Sequence, residues 1–316
     1  MNNLLKLKSS YLIKMQDKKY FVIALALLVT FLWSTSFVII KIGLNNIPPL
    51  TFAGLRYFLA SLTLLPLLFS KKNKSSLAKI TRRQFLQLFL LGILFYSLTQ
   101  GAQFIGLSLL PAVTVSLWLN FTPFVVAFSG MIFINEYPTK MQWIGVIFFI
   151  CGVMIYFLPV SISENQVWGL SVMTLGVLAN AASSVLGRKI NKTGNLPVIV
   201  ITVVSMGFGS ILLLATGITT ESFPQITGES ILYLLWLAVI NTALAFTIWN
   251  YTLKYLTAME SCIINGTMLI QIALLAWIFL NEQISSKEVT GMIIAALGAV
   301  LVQIKFSRKS HPETKK

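Results

Sequence analysis

Charge, histidine, aspartate and cysteine are all scarce in this 316-residue chain. Only 10% of residues are charged, and the one histidine, His311, and the one aspartate, Asp17, lie in polar end segments outside the apolar runs. A Ser/His/Asp relay, a paired-aspartate site or a histidine-rich metal centre has no residues from which to be built. No glycine is followed by lysine, which removes the phosphate-cradling loop of an ATP-driven machine. The chain is expected not to be an enzyme and to carry no metal or cofactor. Cys151 and Cys262 fall inside apolar runs, where a thiol acts as a small hydrophobe, so they imply neither a disulfide nor a metal site.

What is present is apolar: 56% of the chain is hydrophobic, in runs near 20–40, 51–69, 84–105, 112–134, 141–158, 167–187, 196–217, 230–253, 258–280 and 289–304. A run of about 20 residues spans a ~30 Å hydrocarbon core as a helix, so the pattern predicts an all-α integral membrane protein with ten transmembrane helices. The first run is too long for a signal-peptide core and lacks an Ala-x-Ala cleavage site, so it is expected to stay as a membrane helix.

The formal charge of +15 suggests a nucleic-acid partner at first sight, yet the basic residues gather between the runs. With the amino terminus in the cytoplasm, 21 of the 24 fall on the cytoplasmic side, leaving Lys41, Arg56 and Lys287 outside. This is the positive-inside pattern; it places both termini in the cytoplasm, and the expected partners are a small-molecule substrate and the lipid bilayer, with no nucleic acid. The sequence carries no signal of oligomeric state.

The stretch Ala112–Tyr156 recurs without gaps at Ala258–Val302, an offset of 146. Asn135-Glu136 fall on Asn281-Glu282, Gly145 on Gly291 and Gly152 on Gly298. Trp33-Ser-Thr-Ser36 overlies Asn180-Ala-Ala-Ser183, Lys41 overlies Arg188, and Pro48 has a counterpart in Pro197. Five runs per half, an odd number, turn the second half upside down, which is the inverted-repeat plan of many transporters. The expected division is a basic tail 1–19, a first five-helix repeat 20–158, a second repeat 167–305 and a tail 306–316.

Leu32-Trp33-Ser34-Thr35-Ser36-Phe37 with Lys41, Pro48-Pro49-Leu50 leading to Arg56-Tyr57, and the two Asn-Glu hairpins resemble the EamA-type transporters of the drug/metabolite transporter superfamily. The resemblance covers about residues 20–305. It implies a multi-pass permease of the cell membrane: two inverted five-helix repeats around a central cavity, with export or exchange of small metabolites such as amino acids by alternating access. The second half lacks the Trp-Ser-Thr-Ser string and the Arg-Tyr pair, with Thr202 near the Arg56 position, so the halves need not contribute equally.

A charge inside a membrane span costs at least a few kcal/mol, so such a residue is a functional candidate by default. Arg56 lies about 8 Å inside its run at 1.5 Å per residue, where it can meet a substrate carboxylate or snorkel outward. Glu260 reads either as a buried acid or as a helix-start charge favoured by the dipole. Glu136 and Glu282 read as anchors of their hairpin turns or as gates, and Lys41 as an interfacial lysine or one half of a closing ion pair.

Trp33, Ser36, Tyr57, Tyr96, Gln100, Gln103, Asn120, Asn180, Asn241, Trp249 and Asn265 are the uncharged substrate-binding candidates, drawn from a wider polar set with Ser34, Thr242 and Gln271. Tyr96, Gln100 and Gln103 have spacings that can share one helical face. For single hydroxyls, bonding back to the helix is the commoner use, and Gly145/Gly152 and Gly291/Gly298 are expected to serve close packing. A polar-lined bundle also suits a passive channel or a lipid-translocating protein, which is the competing functional reading.

Overall fold

Proline and hydroxyl residues set where the helices begin. The computed structural model describes residues 2–134, 139–158, 163–192, 196–253, 255–256 and 258–303, and within them all side chains except those of 2–18, 71, 72, 130–134, 192, 258, 259, 262 and 303. Ten long helices follow in chain order among the described residues, with a 3-10 turn Leu65–Phe69 and a short helix Lys71–Ala78 between the second and third: α1 Asn2–Gly43, α2 Pro49–Leu64, α3 Arg82–Leu109, α4 in two pieces (Ala112–Leu119 and Thr122–Ile134), α5 Lys140–Phe157, α6 Glu164–Lys192, α7 Val198–Thr220, α8 Gly228–Thr252, α9 Ala258–Leu280 and α10 Ser286–Gln303. Pro48, Pro111 and Pro197 precede α2, α4 and α7, where a missing N–H costs nothing. At α3, α5, α6 and α10 a Ser or Thr caps the first turn while a Gln or Glu three residues on reaches back: Thr81 with Gln84, Thr139 with Gln142, Ser163 with Gln166, Ser285 with Glu288.

Among the described residues there is no strand, and nine helices, α1 (from Lys19) to α9, are long and apolar enough to cross a membrane. Helices are the open-chain answer to hydrocarbon, because every backbone hydrogen bond is closed within the segment. The principal helix contacts form matched sets under exchange of the repeats: α1 packs on α8 and α9 as α6 packs on α3 and α4, and α2 packs on α8 as α7 packs on α3. The pairs α2–α7, α5–α10 and α4–α9 map onto themselves.

The repeated glycines lie where two of these backbones meet. A Cβ at Gly152 would run into the Ala295 backbone, and one at Gly291 would fall 2.7 Å from Gly152 O and Tyr156 N; Gly145 and Gly298 oppose each other in the same manner one turn-pair along. Gly54 of α2 likewise faces the Leu214 backbone of α7, with its would-be Cβ 2.5 Å from Leu214 Cα. These seams close by backbone approach, the usual device where lipid tails are as apolar as side chains.

Two helices carry wide, π-helical turns: Gly92–Thr99 in α3 and Trp236–Leu244 in α8, the third helix of each half. The run 112–134, expected as one rod, is broken at Asn120–Phe121. Pro123 cannot donate to Leu119 O, and the chain turns there before restarting.

Replacing Gly152 by Leu is expected to force α5 from α10 at a cost of about 3 kcal/mol. Gly207→Ala, with nothing within 4 Å of the new atom, should be neutral or slightly stabilising. Thermal denaturation of the detergent-solubilised variants checks the contrast.

Candidate functional site

Adjacent residues on a helix point about 100° apart, and α2 uses this at Arg56 and Tyr57 to reach three other helices. Both are buried, at 4% and 3% exposure. Arg56 donates from Nε to Thr242 Oγ1 at 3.1 Å on α8, and from Nη2 to Ser36 Oγ at 3.4 Å on α1. Tyr57 turns the other way and donates to Gln100 Oε1 at 2.6 Å on α3, with the Tyr96 ring 5.6 Å from its own. Asn241, fully buried beside Thr242, donates from Nδ2 to Leu32 O, Thr35 Oγ1 and Ser36 Oγ at 2.6, 3.1 and 2.8 Å. Each π-helical turn therefore delivers residues to the cluster: Tyr96 from the first, Asn241 and Thr242 from the second.

The electrostatics are unbalanced. The ion pairs among the described residues are Lys19–Glu260 at 2.7 Å and Lys41–Glu282 at 3.4 Å, and neither involves Arg56. A buried guanidinium bonded to two neutral hydroxyls and lying 5.1 Å from the Tyr57 ring centroid has given up water without gaining a carboxylate. Asn241 Oδ1, also buried, accepts no hydrogen bond. Among the described residues, one cluster thus holds a cation without an anion and an acceptor without a donor.

An aromatic wall continues from it. Trp33, one turn before Ser36, lies 5.4 Å from the Phe246 ring and 5.3 Å from that of Trp249, while Thr242, Phe246 and Trp249 follow one another along α8. Trp143, Trp168, Trp236 and Trp277 are all well exposed, as membrane-interface residues would be.

The other candidates lie outside this network of bonds. Gln103 is half-buried, and the π-helical turn that contains Tyr96 breaks the α-helical spacing on which a shared face would rest. Asn120 donates to Ser116 O at the break in α4, and Asn180 bridges α6 to α4 through Thr122 Oγ1 at 3.1 Å. Asn265 is exposed on α9. Glu136 lies outside the described residues.

Lys41, Glu282, Glu260 and Lys19 tie α1 to α9. At one end Lys41 Nζ meets both Leu110 O and Glu282, whose carboxylate also takes the first N–H of α4 at Ala112 (2.8 Å). Glu221 does the same for α2, accepting from Leu50 N and Thr51 N, each at 2.8 Å. A cavity of ≈ 600 Å³ opens beside Lys41, lined by Asn45, Leu107–Pro111 and Phe279–Glu282. At the other end stands Lys19–Glu260, and midway Gln271 accepts from Ser34 Oγ at 3.0 Å and donates to Thr30 and Thr267. Thr242, Ser34 and Gln271 were legible only as members of a polar set; a threonine beside an amide, and amide and hydroxyls in two apolar runs, are the signals.

The EamA-like transporter family matches residues 20–158 and again 167–304. The chain is 30% identical over 293 residues to the uncharacterized transporter YvbV of Bacillus subtilis (strain 168), spanning 89% of this chain and 92% of that one. A second protein of that organism, the uncharacterized transporter YoaV, is 23% identical over 287 residues, with 89% and 96% covered. The S-adenosylmethionine/S-adenosylhomocysteine transporter of Chlamydia trachomatis serovar L2 is 25% identical over 302 residues, with 92% and 91% covered. A solved crystal structure superposes with a TM-score of 0.65 at 15% identity, over 89% of this chain and 96% of its own, which is a likeness of fold. Two matched repeats, glycine-closed seams and a polar cluster between the halves place this chain in the EamA-like transporter family, as a multi-pass transporter of the cell membrane.

Proposed function

We propose that the protein exports or exchanges small metabolites bearing an anionic group, amino acids among them, by alternating access, with Arg56 as the anion's partner. The observation that carries this is the buried guanidinium with no carboxylate beside it among the described residues. A planar cation of this kind presents parallel N–H donors that match a carboxylate, and a ligand that supplies the missing charge gains what the protein alone leaves unmet. Trp33, Phe246 and Trp249 offer faces for an apolar side group.

In this reading all ten helices cross the membrane, both termini face the cytoplasm, and the substrate sits between the repeats near mid-depth. Rocking of the repeats exposes it to one side and then the other, with Lys41–Glu282 and Lys19–Glu260 pinning α1 to α9 at opposite ends. No acid beyond these end pairs neighbours Arg56 among the described residues, so exchange or facilitated flux suits the site better than a carboxylate proton relay.

A metabolite comparison of cells with and without the protein names the solute, and saturable counterflow of that solute in proteoliposomes separates a carrier from a channel. Arg56→Lys, which keeps the charge and loses the fork, is expected to reduce carriage of the anionic solute by about tenfold or more without lowering membrane insertion. Unchanged kinetics would remove Arg56 from the site. For the Lys41 end, Glu282→Gln is expected to lower the thermal midpoint more than Lys41→Met. It weakens both the ion pair and the charged cap on α4, the latter worth about 1 kcal/mol.

A further inference from the structure

The two π-helical turns share a detail that the repeat alignment does not reveal. Near the end of each, a threonine hydroxyl donates to the carbonyl five residues back: Thr99 to Leu94 O and Thr242 to Leu237 O, both at 2.8 Å. Other hydroxyls bonded back along their helices here, such as those of Thr30, Ser205 and Thr247, reach three or four residues. Three or four is the reach of an α-helix, and five is the spacing of a π turn. The two bonds fall in the third helix of each repeat, 143 residues apart, in helices that otherwise share little sequence.

A π turn holds one more residue per hydrogen-bonded ring than an α turn, so it stores a surplus residue within the helix. If that surplus is taken up, everything on one side turns by about 100° relative to the other, the angle of one residue. In α3 this would swing Tyr96 relative to Gln100, and both now meet Tyr57. In α8 it would swing Asn241 and Thr242 relative to Phe246 and Trp249, separating the polar cluster from its aromatic wall.

We propose that Thr99 and Thr242 are paired positioning residues, each hydroxyl holding its helix in the π register that aims the side chains around Arg56 and Tyr57. This rests on the reading of that cluster as the substrate site. Thr242 is coupled more directly than its mate, since its oxygen accepts from Arg56 Nε while its proton goes to Leu237 O. The state of the guanidinium and the register of α8 meet at one atom. Thr99 acts through its neighbours Tyr96 and Gln100.

Two measurements test it. Deleting Val239, which lies in the wide turn of α8 at 37% exposure, removes the surplus and leaves both flanks in phase. Deleting Leu232, in the α-helical part at 63% exposure, throws one flank out of phase. Purified in detergent, the Val239 deletion is expected to stay monodisperse and to melt within about 3 °C of the parent, while the Leu232 deletion melts far lower or aggregates. Equal damage from both deletions overturns the surplus-residue claim, whatever the protein carries.

The second measurement is release or exchange of the solute found by comparing metabolites in cells with and without the full-length protein. Thr99→Val and the Val239 deletion are expected to lower the rate about tenfold or more with unchanged amounts of protein in the membrane, and Thr99→Ser to recover most of it. Valine and serine behaving alike at position 99 would overturn the positioning role. Should the parent protein shift no metabolite at all, the transport reading of the cluster fails, and the two deletions still decide the register claim.

Discussion

In hydrocarbon a backbone N–H or C=O that loses its partner costs several kcal/mol, so each departure from the α-helix must be made good inside the protein. Among the described residues, side chains attend to several such departures. Thr99 and Thr242 serve the wide turns, Asn120 serves the break in α4, and the carboxylates of Glu221 and Glu282 take the leading N–H groups of α2 and α4. The polar residues around Arg56 sit on or next to two of these departures. The same exception that a membrane helix can rarely tolerate is what supplies unusual side-chain directions at mid-height.

The repeats share geometry more than chemistry. Contacts exchange in matched sets, and α2–α7, α5–α10 and α4–α9 meet their own images. Glycine closes the first two of these seams from both sides. Charge is less evenly placed: Arg56 stands on α2 while the corresponding stretch of α7 has Thr202, and the described ion pairs join lysines of α1 to glutamates at the two ends of α9. Under the proposed alternating-access reading, a symmetric frame around a one-sided site would let the frame move between two related arrangements while the ligand meets the same guanidinium.

Much of the frame was legible because membranes leave strong marks. Apolar run length gave the helices, the Asn-Glu hairpins with their glycines gave the repeat, and the paired prolines Pro48 and Pro197 lie at the starts of α2 and α7. The cluster proposed as the site was legible in part: Arg56, Tyr57, Ser36, Tyr96, Gln100 and Asn241 meet through bonds or ring contacts, whereas Gln103 and Asn265 take no part in them. Periodicity misled where it assumed 3.6 residues per turn through Gly92–Thr99, since a π turn has no composition of its own. Thr242 was hidden for another reason: a hydroxyl in an apolar run reads as a back-bonded one, and Thr242 does bond back while also accepting from Arg56.

The two ion pairs between α1 and α9 carry one more geometric consequence. Lys19 and Lys41 are 22 residues apart on α1, while Glu260 lies in the first turn of α9 and Glu282 stands two residues beyond its last residue, Leu280. At 1.5 Å per residue the α1 interval is about 33 Å, so the two helices run side by side and are keyed near both ends. Sliding one along the other would break both keys together, while tilting about the amide of Gln271 at mid-height opens one and spares its opposite. The seam is built as a seesaw with its fulcrum in the hydrocarbon, and a beam of that kind cannot easily lift both ends at once.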